Sequence, residues 1–199
     1  MPVQPTDLRD AAERIRPHIL RTPIHTCRGL DELCTAGAEP PRLFLKCETF
    51  QRTGSFKARG ATNAVLRLCE ERPDDARAGV ATHSSGNHGA ALAWAAGRAF
   101  DGAGIPCTVV MPVDAPAAKR AAVESYLARN PAGGRVIECG PSVADREAVA
   151  DEVRATGARL IHPSDDPHII AGQGTWALEL LEEEPDLDAI LVPIGGGGL

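Results

Sequence analysis

The sequence predicts an α/β fold in which open, mostly parallel sheets are flanked by helices. Three observations carry that prediction. Short apolar runs at 79–82, 107–111, 135–139 and 160–161 are each followed by a longer stretch of helical spacing. Strands that alternate with helices need crossover connections, which give a parallel sheet covered on both faces. Hydrophobic residues make up 43% of the chain and aromatics only 4%, so the core must be built from Ala, Val, Leu and Ile.

Taken in order, Thr6 or Asp7 can cap a first helix running to Ile19, with Ile15 and Ile19 on one face. Pro17 should bend or shorten it. Pro23 and the Thr/Cys/Gly segment after it read as loop, and 43–46 as a strand. The spacing predicts a helix over 56–69, with Ala61, Val65, Leu68 and Cys69 sharing a face. Strand 79–82 leads to an alanine-rich helix over 87–100. Strand 107–111 precedes helix 117–127, and strand 135–139 precedes helix 143–155. A short strand at 160–161, a helix over 169–181 and a last strand at 189–194 running into glycine complete the pattern. The glycines around Gly102 and Gly133 mark turn-like spacers expected on the surface. No internal repeat, heptad run or low-complexity tract is present.

The net charge of −6 argues against a nucleic-acid surface, which carries a basic patch. The acidic run Glu182-Glu183-Glu184 reads as the solvated end of a helix. Six cysteines, at 27, 34, 47, 69, 107 and 139, form neither C-x-x-C nor zinc-finger spacing with histidine. They read as free thiols of a cytoplasmic protein. Residues 1–7 lack the basic and apolar regions of a secretory leader. No apolar run approaches the ~20 residues that span a bilayer. No membrane or nucleic-acid partner is expected.

Three motifs carry chemistry. Lys57 stands in Gly54-Ser55-Phe56-Lys57-Ala58-Arg59-Gly60. A lysine in a helix's first turn is usually a solvated charge, but here Gly54 and Ser55 suit a tight turn and cap, and Phe56 offers a flat apolar face. Desolvation would lower the lysine pKa and favour its nucleophilic, neutral form. Ser84-Ser85-Gly86-Asn87-His88-Gly89 follows a strand and opens a helix. Ligands of open α/β sheets bind at such places, on exposed N–H groups, hydroxyls and amides. A plain capping loop is the alternative. His88 can cap, pack or orient a neighbour. Gly195, Gly196, Gly197 and Gly198 let several N–H groups converge on one anion; a flexible linker is the alternative. The G-x-G-x-x-G dinucleotide fingerprint is absent here, and Gly172-Gln173-Gly174-Thr175 is too short for it. That segment can instead be a glycine-tolerant helix start packed under the site. A lysine, a hydroxyl and amide loop, and a glycine loop in this order are what a pyridoxal phosphate (PLP) site needs. The lysine makes a Schiff base, and the loops hold substrate carboxylate and cofactor phosphate.

The chain resembles the fold-type II family of PLP enzymes, in the branch of serine racemases and threonine or serine dehydratases. The similarity covers Phe44-Leu45-Lys46-Cys47-Glu48, residues 53–60 and 82–89, His162-Pro163, residues 170–175 and residues 192–199. The Asn87-His88 pair looks like that branch, because cysteine synthase-like relatives usually carry threonine where His88 stands. The resemblance implies a two-lobed, tryptophan synthase β-like architecture. Residues 1–77 and 161–199 would form an incomplete large lobe, and 78–160 the small lobe. It implies that Lys57 holds the cofactor and removes the substrate Cα proton, and that Phe56 packs on the pyridine ring. Asn87 would bind the cofactor 3′-oxygen. Gly195 to Gly198 and the Leu199 backbone would bind the phosphate. Ser84, Ser85, Asn87 and His88 would surround the substrate carboxylate. In the racemase branch the serine matching Ser85 works on the face opposite the lysine. Family members continue past the glycine loop, so the chain looks like a fragment, poorly soluble or inactive alone. No metal ligand is assigned among its residues; the resemblance implies a divalent cation, and a homodimer, for the intact protein.

The first functional expectation is a threonine/serine ammonia-lyase giving a 2-oxo acid and ammonia. The second is a serine racemase, and the third an inactive truncated PLP-binding fragment. A nucleotide-binding Rossmann protein comes last, since it would leave the lysine and serine motifs as coincidence.

Overall fold

The structure is a computed structural model that describes residues 3–37, 41–84 and 86–199. The first helix, α1 (Pro5–Ile15), is capped by Gln4 and not by Thr6 or Asp7. Pro5 fits the first helical position, and the Asp7 carboxylate accepts from the Gln4 N–H at 2.7 Å. The helix ends two residues before Pro17. The segment expected as loop after Pro23 instead forms β1 (Ile24–Thr26) and α2 (Arg28–Leu33). A three-residue strand is too short to show alternation. Its register comes from β2 (Phe44–Lys46), with His25 antiparallel to Leu45.

Two 3₁₀ turns, Glu48–Phe50 and Arg52–Gly54, lead into α3 (Lys57–Glu71). Every residue of α3 from Ala58 to Val65 is buried, so its first two turns lie inside the molecule. The short α4 (Pro73–Ala78), absent from the sequence expectation, starts on proline with Asp74 and Asp75 in its first turn. Then come β3 (Val80–His83), α5 (Asn87–Ala96) and α6 (Ala99–Gly102). The helix expected to reach Phe100 ends at Ala96 with Gly97 as its cap, and Phe100 and Asp101 beyond it turn left-handed, with φ of 48° and 56°. Next are β4 (Cys107–Pro112), α7 (Ala117–Ala128), β5 (Gly134–Cys139), α8 (Val143–Ala155) and β6 (Arg159–Leu160). Gly102 and Gly133 lie on the surface as expected.

The expected helix over 169–181 is two helices, α9 (Pro167–Gln173) and α10 (Thr175–Glu183), meeting at Gly174. The Thr175 hydroxyl donates to the Gly172 carbonyl at 2.7 Å and so competes for an oxygen that a continuous helix would use. The expected strand at 189–194 does not form. A strand needs a neighbour to pair its backbone, and no described strand lies beside it. Ile190, Leu191 and Ile194 are 44%, 89% and 86% exposed.

The main sheet is parallel throughout, in the order β5-β4-β3-β6. Its side chains alternate between two faces. Val80, Cys107, Val109 and Met111 join the core built with α3, α5 and α7. Ala81, Val110 and Cys139 pack under Ala150 and Val153 of α8. The alanines of α5 suit its place between α3 and the sheet, where 88–96 are buried without a break. The chain proceeds from β3 outward through β4 and β5, then returns to the other side of β3 as β6. This reversal makes a topological switch point between β3 and β6, where ligands of open α/β sheets bind beyond the strand carboxyl ends.

Candidate active site

The loops after β3 and β6 meet at that switch point. The rings of His83 and His162 stand edge to face, 5.2 Å apart. His162 Nδ1 accepts from the Ser164 and Asp165 N–H groups, which puts its own proton on Nε2. The His88 Nε2 lies 3.4 Å from the Ile161 carbonyl oxygen and donates to it, leaving Nδ1 buried without a described partner. Burial, reinforced by the positive charge of Lys57, pushes the His88 pKa down to about 3. The imidazole is therefore neutral at physiological pH.

Lys57 is the first residue of α3 and follows two left-handed residues, Thr53 and Gly54, with φ of 63° and 75°. Its ammonium donates to the Pro163 carbonyl at 2.6 Å and lies 5.0 Å from the centre of the Phe56 ring. Burial lowers its pKa below the ordinary lysine value. Helices α3 and α9 approach through glycine: a Cβ on Gly172 would lie 2.8 Å from the Arg59 carbonyl oxygen and from the Gly60 Cα. This close crossing sets the lysine helix against the segment that follows β6.

The glycine loop rests on the same segment. A Cβ on Gly198 would lie 2.7 Å from Ser164 Cα and Cβ, and one on Gly196 would lie 2.9 Å from the Ser164 hydroxyl oxygen. Gly197 has a φ of 77°, which a side chain would strain. Lys57, Phe56, His88, Gly196 and Gly198 thus gather around residues 161–164. Ser84 sits at the end of β3, its N–H on the Val110 carbonyl and its hydroxyl accepting from the Gly86 N–H. Asn87 is exposed in the first turn of α5, Gly195 is exposed with open space beside it, and Leu199 is half-buried. Ser85 lies outside the described residues.

A buried ionic cluster holds the lysine turn from behind. Arg59 is fully buried and donates to Glu48 at 2.8 Å through Nε and Nη2, and to Glu179 at 2.7 Å through Nη1. Lys46 completes it on Glu179 at 2.7 Å. Two cations and two carboxylates cancel, and each charge has a hydrogen-bonded partner, as burial demands.

Sequence reasoning named Pro163 only within the family resemblance and Gln173 only within a segment packed under the site, and it missed Ser164. The carbonyl of Pro163 leaves no side-chain signal. The signal available was positional, since Pro163 and Ser164 follow a strand at 160–161 and so lie at the carboxyl edge of the sheet.

The model of the pyridoxal-phosphate dependent enzyme family matches residues 15–199, and the chain belongs to that family. It is 52% identical over 196 residues to the β-hydroxyaspartate dehydratase of Paracoccus denitrificans (strain Pd 1222), covering 97% of this chain and 56% of that protein. It is 45% identical over 193 residues to a serine racemase of Oryza sativa subsp. indica, covering 96% and 52%. The crystal structure of a pyridoxal 5′-phosphate-dependent aspartate racemase superposes with a TM-score of 0.88 at 45% identity, covering 98% of this chain and 56% of that one. The chain therefore spans about half the length of the relatives it matches.

The residues present fit the cofactor. A desolvated lysine amine and a loop of glycines packed backbone-on-backbone meet at one segment. Around them Thr53 Oγ1, Ser55 Oγ, His88 Nδ1 and both amide atoms of Gln173 are buried without described partners. Unanswered buried polar groups are rare, and those beside the lysine and the glycine loop offer donors and acceptors to a polar ligand. Among the described residues no group of three or more His, Cys, Asp or Glu could hold a metal ion, and no helix is long and apolar enough to cross a membrane.

Proposed function

We propose that this chain carries the catalytic lysine and phosphate loop of a PLP-dependent dehydratase acting on a β-hydroxy α-amino acid. Serine and threonine are the first candidates. 3-Hydroxyaspartate joins them through the similarity to β-hydroxyaspartate dehydratase. The observation that carries this reading is the position of Lys57, desolvated at the switch point and hydrogen-bonded to the loop that seats the glycines. PLP, when bound, supplies an electron sink for the charge that develops at the substrate Cα.

Lys57 would hold the cofactor through Nζ, and the same atom, when free, would be the base for the substrate Cα proton. A lowered pKa leaves more of the amine neutral and ready to accept it. Phe56 would cover one face of the ring, and Asn87 would donate to its 3′-oxygen. Gly195, Gly196, Gly197, Gly198 and the Leu199 N–H would hold the phosphate. Ser84, Ser85, Asn87 and His88 frame the substrate carboxylate. His88 contributes as a neutral group, since its pKa near 3 removes it from proton transfer at pH 7. In this reading 1–77 and 161–199 belong to a large lobe and 78–160 to a small one. The same reading has the protein work as a homodimer with a divalent cation.

Racemisation is the second reading, favoured by the similarity to the serine and aspartate racemases. It assigns Ser85 the proton on the face opposite Lys57. The test begins with borohydride reduction of the protein after incubation with PLP, followed by peptide mapping. A pyridoxyl label confined to Lys57 supports the site, and label spread over surface lysines rejects it. Product analysis then decides: 2-oxo acid and ammonia from L-serine, L-threonine or 3-hydroxyaspartate for the dehydratase, the D-amino acid for the racemase.

A further inference from the structure

Gln173 closes α9 with its side chain fully buried, and neither atom of its carboxamide has a hydrogen-bond partner among the described residues. Leaving such a group unanswered is costly, so something that answers it belongs nearby. Two glycines approach it closely. A Cβ on Gly60 of α3 would lie 2.8 Å from Gln173 Cγ, and a Cβ on Gly198 would lie 3.1 Å from its Nε2. Gln173 therefore fills the space between the lysine helix and the glycine loop, and the proposed reaction makes no use of it.

We propose that Gln173 is a positioning residue for the glycine loop: once the phosphate is bound, its now unpartnered amide N–H donates to a carbonyl on the loop's inner side and holds the loop's N–H groups toward the phosphate. The inference rests on the cofactor reading above. Its warrant is peptide geometry. In a trans peptide the N–H and C=O point in opposite directions. A loop whose N–H groups converge on an anion turns its carbonyls away from that anion. A carbonyl turned toward the interior requires a donor, and Gln173 Nε2 stands beside Gly198 on the buried side.

The experiment compares the affinities of PLP and of pyridoxal, the same aldehyde without phosphate, in the wild-type protein and in Gln173→Met. Absorbance titration reads binding, borohydride capture confirms attachment at Lys57, and the ³¹P shift of bound PLP reads the phosphate environment. Loss of one donor should weaken PLP by about tenfold, move the ³¹P signal, and leave pyridoxal within about twofold. Gln173→Glu keeps the shape, removes the donor and adds negative charge near the phosphate. It should weaken PLP further, and it carries the same comparison if Gln173→Met does not fold. Equal losses for PLP and pyridoxal, or no loss for either, overturn the proposal and leave Gln173 as packing. Failure of the wild-type protein to attach PLP at Lys57, or to prefer it over pyridoxal, overturns the cofactor reading and this inference with it. That outcome is read before any variant is made.

Discussion

The Lys57 ammonium donates to the Pro163 carbonyl at 2.6 Å, joining residues 106 positions apart. The contact links the first turn of α3 to the loop after β6, at the point where strand order reverses. It also gives the lysine one fixed neighbour while burial disfavours its charge.

That burial predicts an alkaline signature in the protein without cofactor. The folded-state pKa of Lys57 lies below its ordinary value of 10.5. Between those two values the unfolded chain binds more protons, so stability should rise with pH through that window. Below the lowered value the contribution is absent. Urea midpoints measured from pH 8 upward should climb in the wild type and climb less in Lys57→Met. Parallel curves would show that Lys57 is not desolvated.

His88 predicts an acid signature. Its pKa is held near 3, against 6.5 for an ordinary histidine. Between pH 6.5 and 3 the unfolded chain takes up a proton that the folded one refuses, so stability falls on acidification through that range. The slope contributed by one such group approaches about 1.4 kcal/mol per pH unit. Denaturation of His88→Asn across this range should show a shallower acid limb, whatever its stability at neutral pH.

The sequence made the βα alternation legible because the strands 79–82, 107–111 and 135–139 are apolar and lie between well-spaced helices. It placed Lys57 at a helix start and Ser84 at a strand end for the same reason. What stayed hidden depended on contacts distant in sequence. The strand Ile24–Thr26 exists through its pairing with Phe44–Lys46, and the apolar run at 189–194 is no strand because nothing described pairs with it. Gly174 looked compatible with one long helix, yet the Thr175 hydroxyl bond to Gly172 accompanies a break there. Ser164 and Gln173 became site residues only once α3, α9 and the glycine loop were seen to share one space.

The ionic cluster behind the lysine predicts a large, shape-sensitive loss. Removing Arg59 leaves Glu179 with Lys46 alone and leaves Glu48 with the Thr22 hydroxyl but no described cation. Breaking a buried pair in this way costs about 3–5 kcal/mol, so Arg59→Met should lose that much in urea unfolding. Arg59→Lys should recover only part, because an ammonium cannot span two carboxylates with the flat fork of a guanidinium. Full recovery by lysine would mean that charge alone matters at this position.

The glycine loop predicts unequal tolerance at neighbouring positions. At Gly198 a methyl group would meet Ser164 Cα and Cβ at 2.7 Å, and backbone cannot move aside as a flexible side chain does. At Gly195 the same methyl group meets open space, and its N–H remains. Gly197 lies between these cases: space is open, but a φ of 77° strains any side chain. PLP affinity should therefore fall most in Gly198→Ala, by tenfold or more at a cost of about 1.4 kcal/mol. It should fall less in Gly197→Ala and stay within about twofold in Gly195→Ala. Without cofactor the urea midpoint should stay unchanged in Gly195→Ala, which is exposed and meets open space, and should fall in Gly198→Ala, which is buried against the Ser164 backbone. Combining Gly198→Ala with Ser164→Gly removes the Cβ half of the clash and should restore part of the affinity. An unchanged double variant would place the obstruction in the Ser164 backbone, whereas equal affinities for all three single variants would show that the loop does not seat on Ser164 when the phosphate binds.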